Sequence, residues 1–390
     1  MFKEVSNKTD FPEMEEEILQ RWKNEDTFKE SIRNRSGSNE YVFYDGPPFA
    51  TGLPHYGHLL AGTIKDIIPR YQAMRGNVVE RRFGWDCHGL PIEALAQEEL
   101  NLAGSPAIID TGVDVFNEQC RSMVSTYVED WKKTVTRMGR WVDFENDYKT
   151  MDADFMESIW WVFSQLWEQD RIYKAHRIMP YSWKLNTPLS NFEAGRNYQD
   201  VQDPAITVQI PLINFEIKDV SLLIWTTTPW TLPSNLAVCV GPDIDYVVLK
   251  DHQSNHNLLL ASSRLDTYYK EESDYTILKI LKGNELKDIS YKPIFNDFLN
   301  HKNAFKILID DFVSTEDGTG IVHMAPAYGE DDYRICREAN INIVDPLDAD
   351  CVFTDMVSWL KGKFCKDADK EIIQVLSLIH ISEPTRRYSI

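Results

Sequence analysis

A short apolar run, Tyr41 to Asp45, breaks at Gly46-Pro47-Pro48 and passes through His55 and His58 into a long amphipathic segment. The prolines end the run because they supply no donor to a ladder. Leu59, Leu60, Ile64, Ile67, Ile68, Tyr71 and Met74 recur at helical spacing over Gly57 to Arg75, and Gly76 closes the helix. Asn77 to Phe83 reads as a second strand. Strand, turn, helix and strand make a βαβ unit, so a parallel sheet follows. Such a unit points backbone N–H groups and the positive helix end at the carboxyl edge of the sheet, where phosphates bind. His55 and His58, at i and i+3, project to one side, and Gly57 between them lets a ligand approach the backbone.

The rest of the chain is arranged around this unit. Residues 11–32 place Ile18, Leu19, Trp22 and Phe28 on one stripe of a surface helix. Leu90 to Leu100, Val115 to Met138 and Ala153 to Gln169 are expected to be three more helices. The last carries Phe155, Ile159, Trp160, Phe163, Leu166 and Trp167 as a core stripe. From Ile178 the texture turns β-rich, with strands expected at Ala205–Ile213, Val220–Trp225 and Tyr246–Leu249.

A chain of 390 residues exceeds one ordinary core, and its 43% hydrophobic and 12% aromatic content can fill two. A formal charge of −20 argues against a surface built wholesale for a phosphate backbone, so nucleic-acid contacts must be local. The six cysteines form no CxxC pair, which points to reduced thiols in the cytosol. The N-terminus lacks the apolar stretch of a secretory signal, and no run reaches the roughly 18 residues of a membrane span, so no membrane partner is expected.

Two imidazoles at such a turn can hydrogen-bond a polyphosphate whose charge rises in an in-line transition state. They can equally cap the helix, or form a metal pair with Asp86 and His88. The surrounding string narrows the choice. GPPFATGLPHYGH, followed by GWDCHGLPIE, resembles the class I aminoacyl-tRNA synthetases, whose HIGH-type signature stands here as His55-Tyr56-Gly57-His58. Within that class DGPPFATGLPHYGH resembles the isoleucyl-tRNA synthetases of the eukaryotic cytosolic type, with the valyl type as the alternative.

The resemblance implies an α/β fold, a Rossmann-like catalytic half-domain carrying an inserted β-rich editing domain. It implies isoleucine, ATP with Mg²⁺, and tRNA(Ile) as partners; it says nothing of a multi-synthetase assembly. His55, Gly57 and His58 would serve ATP. Gly46, Pro47 and Asp86 would floor the amino-acid pocket, with Asp86 meeting the substrate ammonium. Asp86 capping the following helix is the structural alternative. No resident protein-bound metal is expected.

Two later stretches resemble the editing insert of the isoleucyl, valyl and leucyl enzymes: IWTTTPWTLPSNLA (224–237), and GTGIVHMAP (318–326) followed by GEDDY (329–333). A hydrophobic pocket separates substrates differing by one methylene by only about 1–3 kcal/mol, a limit for which this family is the standard illustration, so valine requires hydrolysis at a second site. The resemblance gives Thr226, Thr227, Thr228, Thr231, Asn235 and His323 to that pocket, and Asp332 to the ammonium of the misattached amino acid. His323 is a candidate general base.

The expected domains are a helical segment (1–40), the first half of the catalytic domain (41–180), an editing insert cut short (181–375) and a foreign tail (376–390). The tail is read from Leu376 to Arg386, which resembles a translated sequencing adapter. A KMSKS-type loop is absent from the 390 residues, as is a Cys-based zinc knuckle at Tyr181–Leu185, so the chain alone is not expected to ligate. The rival readings are an editing deacylase and a non-catalytic nucleotide-binding module.

Overall fold

In the computed structural model, which describes residues 8–49, 51–124, 126–196, 198–378 and 382–383, the chain divides into two units, Met1–Lys174 and Ala175–Ile390. The first is built on a parallel pair, β1 (Arg82–Trp85) and β2 (Asp143–Lys149). Phe83 and Trp85 of β1 are buried with Ile92, Val124, Trp131 and Val135. The Trp85 indole N–H donates to the Asp147 carboxylate at 2.8 Å, so the largest buried ring leaves no polar atom unmet.

The strand expected over 41–45 is reduced to two isolated parallel bridges, Glu40 with Val78 and Phe49 with Asp86. The parallel relation holds, but Pro47 and Pro48 remove two donors and the ladder cannot close between the bridges. The ladder on the other side of the helix starts at Arg82, later than the expected Asn77.

Helix α1 (Phe11–Asn24) and helix α2 (Thr27–Arg33) replace the single helix expected over 11–32, because Asp26 adopts a left-handed conformation with φ 49°. The next helix, α3 (Tyr56–Met74), follows the expected span. After α4 (Leu90–Glu99) comes α5 (Gly104–Thr111), which the sequence pattern did not reveal. The helix expected over 115–138 is two, α6 (Val113–Val124) and α7 (Val128–Arg137). Between them the Thr126 N–H bonds back three residues to Met123, a tight turn that ends α6.

Helix α8 (Ala153–Glu168) forms as expected, but its stripe is not core. Trp160 is 68% exposed and Trp167 61%, and Ile159, Phe163 and Leu166 are exposed too. Only Phe155 finds an aromatic partner among the described residues, stacking on Tyr148 at 5.8 Å. Periodicity reports that a face is apolar; it does not report what covers it.

The second unit opens with a short hairpin, β3 (Tyr181–Ser182) and β4 (Thr187–Pro188), and one turn of helix, α9 (Asn191–Ala194). Its main sheet comprises β5 (Ile206–Ile213), β6 (Val220–Thr226), β8 (Asp245–Asp251), β9 (Asn257–Ala261), β10 (Tyr275–Lys282) and β11 (Ser290–Tyr291) in the order β10-β8-β9-β6-β5-β11. All its pairs along this path are antiparallel except β6 with β9. A smaller sheet sets β7 (Ala237–Val240) between parallel β12 (Ile307–Ile309) and antiparallel β13 (Ile321–Met324). The pleat sends Val208, Ile210, Leu222 and Ile224 into one core with Val238, Val240 and Ile321.

Beside these sheets lie α10 (Leu265–Tyr268), α11 (Glu330–Glu338) and α12 (Cys365–Leu378). Helix α12 runs past Val375, where native sequence was expected to end, and Leu376 is fully buried. Ser382–Glu383, within the expected foreign tail, pair with β5; residues 379–381 and 384–390 lie outside the described residues. No helix among the described residues is long and apolar enough to cross a membrane.

One buried hydroxyl ties the two sheets: Tyr246 donates to the Gly320 carbonyl at 2.7 Å and accepts the Gly241 N–H at 3.0 Å. Tyr246→Phe leaves both backbone groups unmet, and chemical denaturation should show a loss of about 1–3 kcal/mol.

Candidate functional site

In the first unit the chain leaves Pro48 and enters α3 at His55. The His55 ring accepts the Gly57 N–H through Nδ1 at 3.1 Å, while His58 Nδ1 accepts the His55 N–H at 3.3 Å, a reciprocal capping box. The rings stack at 3.7 Å, and His58 lies 4.8 Å from Trp131. Gly57 is required here, since a Cβ would stand 2.9 Å from the His55 ring. Capping therefore accounts for Nδ1 of each ring. Burial, His55 and Lys65 hold His58 below the usual histidine range, so it is a neutral donor through Nε2.

Next to the turn is a cavity of about 270 Å³ lined by Gly46, Pro48, His58, Lys65, Trp131 and Arg140, among others. Sequence reading missed the charges that shape it. Asp45 is almost completely buried and meets Lys65 at 2.5 Å and Arg140 at 2.6 Å, while Lys65 also donates to the Gly46 carbonyl. A carboxylate so deeply buried is tolerable only with such partners. The one signal was an acid placed at the end of an apolar run.

Asp86 does not cap α4; the N-cap is Gly89, and it lends no side chain. Its N–H donates to the Pro48 carbonyl, which brings Asp86 beside the Gly46-Pro47-Pro48 turn. Asp86 and Pro47 are not among the residues lining the cavity. No group of three or more His, Cys, Asp or Glu among the described residues is arranged to hold a metal ion, so His55, His58, Asp86 and His88 do not assemble one.

In the second unit β6 delivers Thr226 to the mouth of a cavity of about 510 Å³, and a 3₁₀ turn, Pro229–Ser234, carries Thr231. Thr226, Thr227, Thr228, Thr231, His323 and Asp332 all line this space. Asn235 stands behind them. Its amide donates to the Ala237 carbonyl at 2.9 Å and to His323 Nδ1 at 3.4 Å, and its oxygen accepts from the Tyr291 hydroxyl at 2.7 Å. That arrangement puts the His323 proton on Nε2, which donates to Thr231 Oγ1 at 2.8 Å. The Thr231 hydroxyl in turn donates to the Thr228 carbonyl at 2.8 Å.

Both ring nitrogens of His323 are thus engaged, and burial drives its pKa down to about 4. A neutral, doubly bonded imidazole orients Thr231. It has no nitrogen left for a substrate proton, so the geometry does not support the general-base assignment.

Asp332 opens α11 and accepts the Ala325 N–H at 2.8 Å. Burial pushes it up to about 6, against the pull of that bond. Further lining residues that the motif reading did not single out are Trp225 and Tyr328. Gly318 has φ +64° and lies against the Trp225 ring, where a Cβ would stand 3.0 Å away, so the turn that enters β13 needs glycine.

The protein-family description "tRNA synthetases class I (I, L, M and V)" matches residues 17–345. The chain belongs to this family. It is 49% identical to the Treponema denticola protein named "Isoleucine--tRNA ligase", over 96% of this chain and 37% of that protein. To the Mus musculus protein named "Isoleucine--tRNA ligase, cytoplasmic" it is also 49% identical, over 96% of this chain and 30% of that one. This member of the class I synthetases therefore spans roughly a third of the length of the curated relatives it matches. Among solved structures, "The crystal structure of GlLeuRS-CP1" aligns with 48% of this chain and 99% of its own at 13% identity and a TM-score of 0.37, too distant to carry weight.

Because the Asp332 pKa is raised above its ordinary 3.8, the folded state favours the protonated carboxyl. Its stability is full below about pH 4 and declines as pH rises through about 6. Asp332→Asn keeps an oxygen for Ala325 and removes the buried charge. Thermal unfolding should show it more stable than the parent at pH 7.5 by on the order of 1–2 kcal/mol, with the gain vanishing below pH 4.

Proposed function

We propose that this chain is the portion of an isoleucine–tRNA ligase that carries the first half of the adenylate-forming site and the hydrolytic proofreading site. The supporting observation is the joint occurrence of a histidine-capped strand-to-helix turn with a second cavity lined by Thr226, Thr227, Thr228, Thr231, His323 and Asp332.

In the first site the isoleucine carboxylate attacks the α-phosphorus of ATP, releasing pyrophosphate and forming isoleucyl-adenylate. The carboxylate is already a nucleophile, so the residues supply position and charge stabilisation. His55 and His58 donate from Nε2, Gly57 admits the phosphate to the backbone, and Asp86 with Gly46 and Pro47 receives the amino acid at its ammonium. Mg²⁺ would arrive on the triphosphate and offset its charge; the described residues form no cage for it. The isoleucyl group then passes to tRNA(Ile). The compartment proposed is the cytoplasm, in line with the name of the mouse relative, "Isoleucine--tRNA ligase, cytoplasmic".

In the second cavity Asp332 receives the ammonium of valine misattached to tRNA(Ile). The threonine hydroxyls, with Thr231 held by His323, surround the ester carbonyl. Water adds to that carbonyl, the ribose oxygen leaves with a proton, and free valine departs. All the lining residues belong to the second unit, which favours a deacylase activity that does not need the first.

The full chain incubated with valine-charged tRNA(Ile) should release valine, with a rate that falls as pH drops below about 6 and Asp332 takes up its proton. Asp332→Ala should lower kcat/KM by about ten- to a hundred-fold, the value of a charge-assisted hydrogen bond. Release no faster than in buffer would remove the reading.

A further inference from the structure

The turn Pro229–Ser234 holds Thr231 in the hydrolytic cavity, yet its own N-terminus is capped in an unusual way. A helical turn leaves its first N–H groups without internal partners. Pro229 has none, and the Thr231 N–H reaches the Thr228 carbonyl, so the open donor is Trp230. Thr228 occupies the cap position, where a threonine hydroxyl ordinarily accepts that bond. Here it does not. Its hydroxyl instead lies 3.2 Å from Thr226 Oγ1 and 3.4 Å from Thr231 Oγ1, along the cavity wall.

The Trp230 N–H donates to Asp369 Oδ1 at 2.8 Å, across 139 residues of sequence. Asp369 projects from the buried face of α12, which carries Cys365, Ala368, Ile372 and Leu376 into the same core as Leu232. The carboxyl is 5% exposed, and burial raises its pKa to about 6. Lys366, one turn earlier, is paired with Asp203 at 2.7 Å. The Trp230 ring then meets Tyr328, a cavity residue, edge-on at 4.9 Å.

We infer that Asp369 is a positioning residue of the hydrolytic pocket: it caps the 229–234 turn in place of Thr228, which leaves the Thr228 hydroxyl facing the cavity and fixes Thr231 against His323. The inference rests on the hydrolytic reading of this cavity. If the bond fails, the Trp230 N–H loses its partner in a part-buried setting, and the Thr228 hydroxyl, at the cap position, is an acceptor able to swing back. The threonine row would then lose its order without any residue of the row being changed.

The test compares Asp369→Asn, which keeps an acceptor oxygen in place, with Asp369→Ala, which removes it, in the full chain. Valine release from valine-charged tRNA(Ile) should stay near the parent rate in the first. In the second kcat should fall by about ten- to a hundred-fold with KM little changed, as for a catalytic group displaced by a fraction of an ångström or more. Asp369→Glu moves the oxygen by a methylene and carries the same expectation as alanine, which covers the case in which alanine does not fold. Hydrogen exchange at the Trp230 amide should accelerate in the alanine or glutamate variant and not in the asparagine one. Equal rates in parent and alanine, or equal losses in asparagine and alanine, would overturn the positioning role. A parent chain that releases no valine would overturn the hydrolytic reading, and the Trp230 amide would still decide whether Asp369 anchors the turn.

Discussion

The hydrogen bond between His323 and Thr231 connects two elements that the chain brings together from 92 residues apart. On one side stands β13, whose His323 is buried at the cavity wall; on the other stands the 3₁₀ turn that follows β6. The bond has a defined direction because Asn235 occupies the other ring nitrogen, and Asn235 is itself held by Tyr291 and the Ala237 carbonyl. In a low-dielectric interior such a chain works only when every member is satisfied. Each is, from the Tyr291 hydroxyl to the Thr228 carbonyl, and the neutral imidazole at its centre holds this wall of the cavity in one arrangement.

The first unit solves a different problem with charge. Its turn presents backbone N–H groups at the start of α3 that no carbonyl of the helix itself can meet. His55 and His58 satisfy two of them through Nδ1, while Asp45 gathers Lys65 and Arg140 beside the cavity. The carboxylate balances two cations that border the cavity, so cationic side chains can lie next to the histidines without driving the loop apart.

Much of this was legible in the sequence where a local rule decides it. The span of α3 followed from its apolar spacing and Gly76, and three strands of the second unit, β5, β6 and β8, from β-type runs between turns. The two motif stretches led to residues that do share one cavity. What escaped depended on tertiary partners. Trp160 and Trp167 look like core by pattern but are mostly exposed. The run at Tyr41–Asp45 has strand composition, yet two prolines deny it a ladder. His323 resembles a base by residue type, and only its two hydrogen bonds reveal a support. Asp369 carries no motif at all; its meaning lies in a single backbone N–H far away in sequence.

The state of the His323 ring tests the account most directly. Nitrogen-detected NMR of the imidazole across pH 4 to 8 should find it neutral throughout most of that range, protonated on Nε2, with titration only near 4. A ring that titrates near the ordinary 6.5, or carries its proton on Nδ1, would contradict the hydrogen-bonded chain on which the pocket is built.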